Sequence, residues 1–373
     1  LSYLLRKDIL ELNPLEVSIV KPGDFRVEAS IRSVCRETGS ELNIRHDLHF
    51  ICKENQFEEH AANRKSLRLE FFYREMRRKN NILMEKSDPT GGSWNYDKEN
   101  RESFKKTGPP STAPSYEETP DRLTREVISL VEKRFPDHPG DLSHFHWPVT
   151  PRDAQSQLAK FVGEGLPLFG RFQDAMWQDQ KTLFHSLVAA PLNLRLLDPL
   201  KVIRQVERAY DEGNAPLAAT EGFIRQVLGW REYVRGIYHI YMPGYRESNF
   251  FEASETLPNF FWTGETEMAC MKSCLTQVLD TGYGHHIQRL MVIGLYSLLR
   301  GVNPQEINNW FLASYVDAVD WVTTPNVIGM SQFADGGLMA SKPYSATGAY
   351  VNRMSNYCKG CQYNPKESIG PKA

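Results

Sequence analysis

The sequence lacks long apolar runs and has no large excess of charge of either sign. No hydrophobic stretch in its 373 residues approaches the ~20 residues that are needed to span a bilayer, and a mean hydropathy of −0.47 excludes an integral membrane protein. Because 44 basic and 46 acidic side chains leave a formal net charge of −2, binding to nucleic acid would require a local basic patch. The glycine fingerprints of dinucleotide sites and P-loops do not occur, so neither kind of site is indicated.

Cysteine is also scarce. Six cysteines are too few for a disulfide scaffold in a chain of this length. Cys358 and Cys361 are separated by two residues, a spacing that is typical of metal sites in a reducing compartment. The sequence has neither a signal peptide nor an initiating methionine, and it opens on apolar residues as if inside a helix. We therefore expect a fragment of a longer protein.

Composition and periodicity distinguish three regions. Residues 1–82 predict an α/β domain with a parallel sheet cut off at its start, because strand patterns at 15–20 and 42–44 flank a helical stretch at 27–38. Residues 83–121 contain clusters of glycine, proline and serine and predict an interdomain linker with little regular structure. Residues 122–373 predict a large all-helical domain, because apolar residues recur three and four positions apart and no clear strand candidate appears.

A basic segment at 64–80 predicts a helix with an unusual charge balance. Its cationic side chains outnumber Glu70 and Glu75, and aromatic residues lie between them. Two interpretations stay open, a solvated helix face and a patch that faces DNA phosphates. In the second interpretation the contacts come from Arg77, Arg78 and Lys79.

Two further groups of residues could carry chemistry. Cys270 and Cys274 lie four apart on a predicted helix and can face one side, so with Cys358 and Cys361 they could form a structural zinc site. An iron–sulfur cluster also takes four thiolates, and spacing does not distinguish the two. His285 and His286 lie next to each other within a predicted helix and point about 100° apart.

The histidines allow two interpretations as well. They are either a core histidine beside a surface one, or a proton donor, because an imidazole with a pKa near ~6.5 exchanges protons at neutral pH. The polar, glycine-containing segment 317–337 predicts a cradle for a small molecule. Four tryptophans of the helical region are either core residues or an electron relay: Trp230, Trp262, Trp310 and Trp321.

Together these segments resemble the photolyase/cryptochrome family, in particular its prokaryotic iron–sulfur (6-4) photolyase branch. The resemblance extends over nearly the whole chain, and its motifs are 173–176, 221–226, 229–233, 285–291 and 325–337, with the basic segment and Tyr357-Cys358 with Cys361. It implies an α/β domain, a connector and an all-helical domain that holds FAD in a bent conformation. It also implies that the light-excited reduced flavin donates an electron to a damaged pyrimidine pair flipped out of duplex DNA.

The resemblance assigns roles to single residues. His286 matches the histidine that protonates the (6-4) lesion, with His285 beside it, whereas Leu290 stands where eukaryotic (6-4) enzymes have a second histidine. A lone imidazolium could donate the proton if a neighbour kept its pKa high. Trp310 matches the electron relay next to the flavin and Trp262 a more distal member. The other matches are the flavin-ring contacts Asp317, Asp320, Asn326 and Met330, the phosphate contacts His185 and Ser186, and the lesion-pocket rim residues Lys342 and Tyr344.

The resemblance also implies further cofactors and partners. Cys270, Cys358 and Cys361 match three of the four [4Fe–4S] ligands, the fourth being expected beyond the end of this chain, and Cys274 has no family role. A ribolumazine antenna is implied for the complete N-terminal domain, and we expect this chain alone not to hold it. We expect a monomer that acts on UV-damaged DNA in the bacterial cytoplasm, in association with the nucleoid and with no membrane. The alternatives are a cryptochrome-like blue-light photoreceptor with the same fold and flavin, and a zinc-binding DNA protein without flavin.

Overall fold

A small α/β unit forms the N-terminal part of the computed structural model, which describes residues 1–62, 64, 67–110, 113–114, 116 and 119–367. The two strands pair in parallel, with Ile19 opposite Ile44. The helix between them begins after Asp24, whose carboxylate accepts a hydrogen bond from the backbone of Arg26, and ends at Gly39 with a left-handed φ of 71°. The predicted β-α-β order is confirmed. The unit consists of α1 (Ser2–Leu12), β1 (Glu16–Val20), α2 (Phe25–Thr38) and β2 (Glu41–Arg45).

Two further helices connect this unit with the rest of the molecule. They are α3 (Glu54–Ala61) and α4 (Leu69–Asn80), and α4 is the basic helix that the sequence predicted to begin at residue 64. The rings of Phe57 and Phe72 lie 5.7 and 5.8 Å from the ring of Tyr233 in the main hydrophobic core. The predicted boundary at residue 82 therefore does not coincide with a division of that core. Residues 63, 65 and 66 of the basic segment lie outside the described residues.

The segment that follows has little regular structure among its described residues. A short hairpin of β3 (Met84–Glu85) and β4 (Asp88–Pro89) precedes the 3₁₀ turns Thr90–Gly92 and Asp97–Glu99. The backbone N–H of Tyr96 donates to Glu221 at 3.2 Å, and the Asn100 amide donates to the Ala218 carbonyl at 2.9 Å. These bonds hold the segment against the helical region.

The remainder of the described chain is helical. Its helices are α5 (Arg122–Arg134), α6 (Pro151–Lys160), α7 (Leu166–Phe172), α8 (Ala189–Asn193), α9 (Pro199–Asp211), α10 (Leu217–Ile224), α11 (Glu232–Tyr241), α12 (Phe260–Thr263), α13 (Ala269–Thr281), α14 (His286–Gln288), α15 (Leu295–Arg300), α16 (Pro304–Ser314), α17 (Asp320–Pro325) and α18 (Gly348–Met354). Across the described ranges, no helix combines the length and the apolar character needed to cross a membrane.

Several of these helices are interrupted by turns of π-helix. Such turns join α6 to α7 at Phe161–Gly165, α10 to α11 at Arg225–Arg231, and α14 to α15 at Arg289–Gly294, and a fourth turn at Asn326–Ser331 follows α17. Single π turns inside helices occur frequently at functional sites. The third turn directly follows α14, which begins at His286, and the fourth contains Asn326 and Met330. The sequence singled out all three residues.

Candidate functional site

Three segments that are distant in the sequence meet around His285. The ring of His185, from the loop before α8, stacks on the ring of His285 with 4.5 Å between centroids and 14° between planes. Arg289, one turn after His285, donates two hydrogen bonds of 2.9 Å to the carboxylate of Asp317. The structure therefore brings together His185, His285, His286 and Asp317, which the sequence proposed separately.

The backbone at the two histidines differs from the prediction. The sequence placed both inside a helix, which is wrong for His285. Helix α13 ends at Gly282, whose φ of 64° is left-handed, and His285 is extended, so that α14 begins only at His286. The N–H of His285 donates to the Gln288 side-chain oxygen at 2.9 Å. The apolar spacing continues across this break, which is why periodicity did not reveal it.

All three histidines favour the neutral form in this site. Burial lowers the pKa of His185 to about 3, with further lowering by His286 and Arg289, and burial lowers the pKa of His285 well below its ordinary value. His286 is accessible to water but surrounded by protein atoms, so that desolvation and the Arg289 guanidinium lower its pKa to about 4. The raised pKa that proton donation would require is absent from this arrangement.

Arg289 and Asp317 form the central ion pair of the site. The guanidinium also donates to the Gly284 carbonyl at 2.6 Å and lies 4.1 Å from the ring centre of Tyr315. Burial by itself would lower the pKa of Arg289, but the adjacent Asp317 carboxylate produces a net increase. Arg289 thus keeps its charge, and bidentate geometry fixes it against Asp317.

The carboxylate of Asp320 is bound by other side chains of the protein. Its carboxylate accepts hydrogen bonds from the Tyr238 hydroxyl at 2.6 Å, from Arg246 at 3.1 Å and from the Thr324 hydroxyl at 2.8 Å. The same Tyr238 hydroxyl accepts from the backbone N–H of Phe25 in the α/β unit, at 3.3 Å. Asp320 therefore connects the α/β unit with the helical region.

The other predicted cofactor contacts lie in two segments. Asn326 begins the π turn after α17 and donates to the Val322 carbonyl at 2.8 Å, and Met330 is buried in the same turn. Ser186 follows His185, and its carbonyl accepts from the Gln157 amide at 3.0 Å. The flanking Leu183 and Leu187 have left-handed φ angles of 47° and 55°, a conformation that is strained for leucine.

Trp310, one of the two proposed relay tryptophans, contacts other aromatic rings. Trp310 is buried, and its indole N–H donates to the Phe261 carbonyl at 3.1 Å. Its ring lies 5.7 Å from Tyr315 and 5.2 Å from Phe261. Trp262 follows Phe261 and is 38% exposed. Aromatic contacts thus lead from Tyr315, beside Arg289, through Trp310 to Phe261.

Three of the cysteines are electrostatic neighbours. Burial raises the pKa of the Cys270 thiol to about 11, and the thiols of Cys358 and Cys361 raise it further. Burial and the nearby Cys270 raise the pKa of the Cys274 thiol, which also lies 4.0 Å from the Tyr357 hydroxyl. In the part of the chain that the structure describes, no group of three or more histidine, cysteine, aspartate or glutamate side chains is arranged to hold a metal ion.

The structure corrects one predicted DNA contact on the basic helix. Arg77 is completely buried, and its guanidinium donates to the carbonyls of Ile82, Leu83 and Trp94. It therefore cannot present its charge to a phosphate. Arg78 and Lys79 are exposed, and the Arg78 guanidinium lies 4.5 Å from the ring centre of Trp94.

The predicted rim residues lie at the surface near several ionisable groups. Lys342 is exposed and Tyr344 is 39% exposed. Partial burial raises the pKa of Tyr344, and Asp97 and Arg101 also act on it. The same two residues act on Asp174, whose pKa burial raises to about 6.

Sequence reasoning missed several residues of this site. Arg289 and Asp174 lay within quoted motifs but received no role, and Gln277 and Gln288 were not considered. A basic residue three positions after a candidate histidine lies on the same helical face, and this spacing could have identified Arg289. Nothing in the sequence indicates the contacts of the two glutamines.

Comparisons with known proteins agree on one family. Residues 1–147 match a family model described as deoxyribodipyrimidine photo-lyase-related protein. The chain is 47% identical over 370 residues to a (6-4) photolyase of Agrobacterium fabrum, covering 99% of this chain and 72% of that protein. It is also 38% identical over 74 residues to an uncharacterised protein of Acanthamoeba polyphaga mimivirus, covering 20% of this chain and 60% of that protein.

Two solved structures share the fold. A bacterial class III photolyase from Agrobacterium tumefaciens has a TM-score of 0.59 and 16% sequence identity, with coverage of 95% of this chain and 70% of that chain. A Synechocystis cryptochrome has a TM-score of 0.58 and 13% identity, with coverage of 95% and 71%. At these identities the likeness shows the architecture alone, an α/β unit followed by a helical region.

Proposed function

This chain belongs to the photolyase/cryptochrome family, and we propose that it is a (6-4) photolyase, which uses light and reduced FAD to repair (6-4) photoproducts in DNA. The relative with 47% identity over nearly the whole chain gives the reaction class. Within the chain, the observation that carries the proposal is the convergence of His185, His285 and His286 with the Arg289–Asp317 ion pair.

The residues around His285 fit a flavin. Both ring nitrogens of His285 and the hydroxyl of Tyr315 are buried without a hydrogen-bond partner among the described residues, and a polar ring system would satisfy them. We assign the ring contacts to Asp317, Asn326 and Met330, and the phosphate contacts to His185 and Ser186. When bound and reduced, FAD supplies the single electron that the lesion requires. Asp320 is left out, because three side chains donate to its carboxylate, whereas among the described residues Arg289 is the one donor to the carboxylate of Asp317.

His286 is the residue to which we assign proton transfer to the lesion. Its pKa of about 4 means that it is neutral at pH 7 before DNA binds. Bound DNA brings negative charge next to the ring, which favours the imidazolium, so that His286 takes up a proton from solvent when the substrate binds. Desolvation and the Arg289 charge keep the residue neutral before DNA binds.

Repair under illumination tests the proposal directly. Reduced protein is illuminated with DNA that contains a (6-4) photoproduct, and the restored thymines are counted. We expect wild type to repair, and His286→Ala to lose at least about 100-fold in rate while retaining its flavin. His144→Ala, which removes an exposed histidine elsewhere, is the control. Absence of repair by wild type, or full repair by His286→Ala, would contradict the assignment, and a light-induced flavin change without repair would favour the cryptochrome alternative.

The cysteines support a second cofactor. Cys270, Cys358 and Cys361 are near enough for their thiols to influence one another, and thiolates are the ligands of iron–sulfur clusters. We therefore assign them to a [4Fe–4S] cluster. Purified protein should contain iron and sulfide, which Cys358→Ala should reduce while Cys35→Ala does not. Zinc in place of iron would refute the cluster.

DNA binding is assigned to exposed residues. Arg78, Lys79, Lys342 and Tyr344 are accessible, and cations that neutralise phosphates dominate affinity for DNA. The ribolumazine antenna, the monomeric state and the location in the bacterial cytoplasm with the nucleoid stay predictions from the resemblance.

A further inference from the structure

We propose that the paired side-chain amides of Gln277 and Gln288 are a positioning unit that fixes the backbone of His285 and His286 against the loop of His185. Both glutamines are buried, with 8% and 1% of their surfaces exposed. The proposal rests on the function assigned above only for its catalytic consequence, because the unit itself is a structural property of the chain.

The two amides bind each other reciprocally. The Gln277 nitrogen donates to the Gln288 oxygen at 3.3 Å, and the Gln288 nitrogen donates to the Gln277 oxygen at 3.1 Å. In a buried environment such a pair is strong, because no water competes for its donors and acceptors. The pair also makes four bonds outwards.

These outward bonds join separate segments of the chain. The Gln277 nitrogen has two hydrogens, which it shares among the Gln288 oxygen, the Lys181 carbonyl at 2.9 Å in the loop of His185, and the Tyr283 carbonyl at 3.2 Å. From Gln288, the nitrogen donates to the Tyr357 hydroxyl at 3.2 Å, and the oxygen accepts from the His285 N–H at 2.9 Å. Every segment that carries a proposed catalytic histidine is thus held by the same two side chains.

The bond to His285 has a particular consequence. The first N–H groups of a helix have no partner within the helix, and α14 begins directly after His285. The Gln288 oxygen binds the free N–H of His285 and holds the turn in which His286 lies. Gln277 belongs to α13, which also carries Cys270 and Cys274, and Tyr357 precedes Cys358. Hydrogen bonds of the two glutamines therefore connect the segments that carry the cysteines with the histidine turn.

Three variants of the whole protein test the unit. Gln288→Met keeps the size of the side chain but removes its two N–H donors and its oxygen acceptor. Gln288→Glu keeps the oxygen that accepts from the His285 N–H. Gln305→Met is the matched control, because the Gln305 amide also donates to two backbone carbonyls, those of Arg246 and Ser248, at another place. Hydrogen exchange of the 283–289 segment is measured in the dark without DNA, and kcat and KM are measured separately in the repair assay.

The expected results separate positioning from general stability. In Gln288→Met, exchange of the His285 amide should accelerate about 10-fold or more because its bond is lost, and kcat should fall about 10- to 100-fold with KM within about 3-fold. Gln288→Glu should restore most of the protection of the His285 amide, because its oxygen still accepts from that N–H, but kcat should stay below wild type, because the N–H groups that bind Gln277 and Tyr357 are lost. Gln305→Met should match wild type. The proposal is overturned if Gln288→Met behaves like the control, or if the His285 amide exchanges as fast in Gln288→Glu as in Gln288→Met.

Two safeguards keep the test decisive. If Gln288→Met does not fold, Gln277→Met takes its place, and unchanged exchange at 181–185 and 283–285 in that variant overturns the proposal. If wild type shows no repair, the proposed function fails. The exchange measurements still decide whether the glutamines hold the histidine turn.

Discussion

The three histidines of the site show how strongly an environment can change one residue type. His185 and His285 stack at 4.5 Å, and both have few polar partners, so that a positive charge on either ring would lack compensation. His286 is reached by water, yet desolvation by the surrounding protein and the nearby Arg289 lower its pKa. A neutral, closely packed imidazole group is the resting state at neutral pH.

This state predicts a pH dependence of stability. The pKa of His185 is about 3 in the folded chain and ~6.5 when unfolded, so between these values the unfolded chain binds the additional proton. The free energy of unfolding contributed by His185 is therefore complete above pH 6.5 and is lost as the pH falls towards 3. In His185→Asn, the decrease of unfolding free energy from pH 7 to pH 4.5 should be smaller than in wild type, by on the order of 1 to 3 kcal/mol.

Denaturant unfolding at several pH values measures this difference. The comparison is made between variants, because Asp174, whose pKa burial raises to about 6, increases the free energy of unfolding as the pH falls. Its effect therefore opposes that of His185. His144→Asn, at an exposed position, should reproduce the wild-type profile. Parallel profiles for wild type and His185→Asn would show that His185 titrates normally in the folded protein.

At the scale of elements, the basic helix α4 has two different sides. One side is structural, because Arg77 is buried and binds three carbonyls of the following segment. On the other side, Arg74 and Arg78 lie 5.4 and 4.5 Å from the ring of Trp94, and Lys79 is exposed. The buried side fits neither interpretation that the sequence left open, so a solvated face and a patch that faces DNA phosphates stay alternatives for the exposed side.

Substitutions on the two sides should have separate effects. Arg77→Met leaves three buried carbonyls without their donor and should reduce the free energy of unfolding by about 2 to 4 kcal/mol. Lys79→Gln should change stability by less than about 0.5 kcal/mol, but it should reduce the slope of log K against log salt by about 1. Denaturant unfolding and DNA binding at several salt concentrations measure the two effects.

A different result would reassign the helix. If Lys79→Gln leaves the salt dependence of DNA binding unchanged, the exposed side is simply solvated. If Arg77→Met is as stable as wild type, the buried guanidinium does not hold the segment after α4.

At the scale of the whole molecule, one hydrophobic core includes α3, α4 and the helical region. Phe57 of α3 packs against Tyr233 at 5.7 Å, and Gly236 of α11 lies directly beneath its ring, where a Cβ atom would overlap the ring carbons. Glycine therefore permits the close approach of α3 to α11. The α/β unit reaches the same helices through Tyr238 and Asp320.

Gly236→Ala should consequently weaken the whole fold. Overlap with Phe57 should cost about 1 to 3 kcal/mol, which exceeds the gain of up to about 1 kcal/mol in helix propensity. The control is Gly163→Ala, since a Cβ at Gly163 meets no atom within 4 Å, and this variant should be as stable as wild type or more stable. Thermal unfolding measures both, and equal midpoints for the two variants would mean that α3 adjusts without cost.

The sequence by itself determined the β-α-β order, the helical stretch at 27–38, and the family. These features depend on local turn chemistry, on period, and on motifs that are read along the chain. Only the tertiary structure decided that Arg77 is buried, that Asp320 joins the α/β unit to the helices, and that Gln277 and Gln288 hold the histidine turn. The physical reason is that the environment of a polar side chain depends on partners far away in the sequence, and neither composition nor spacing records those partners.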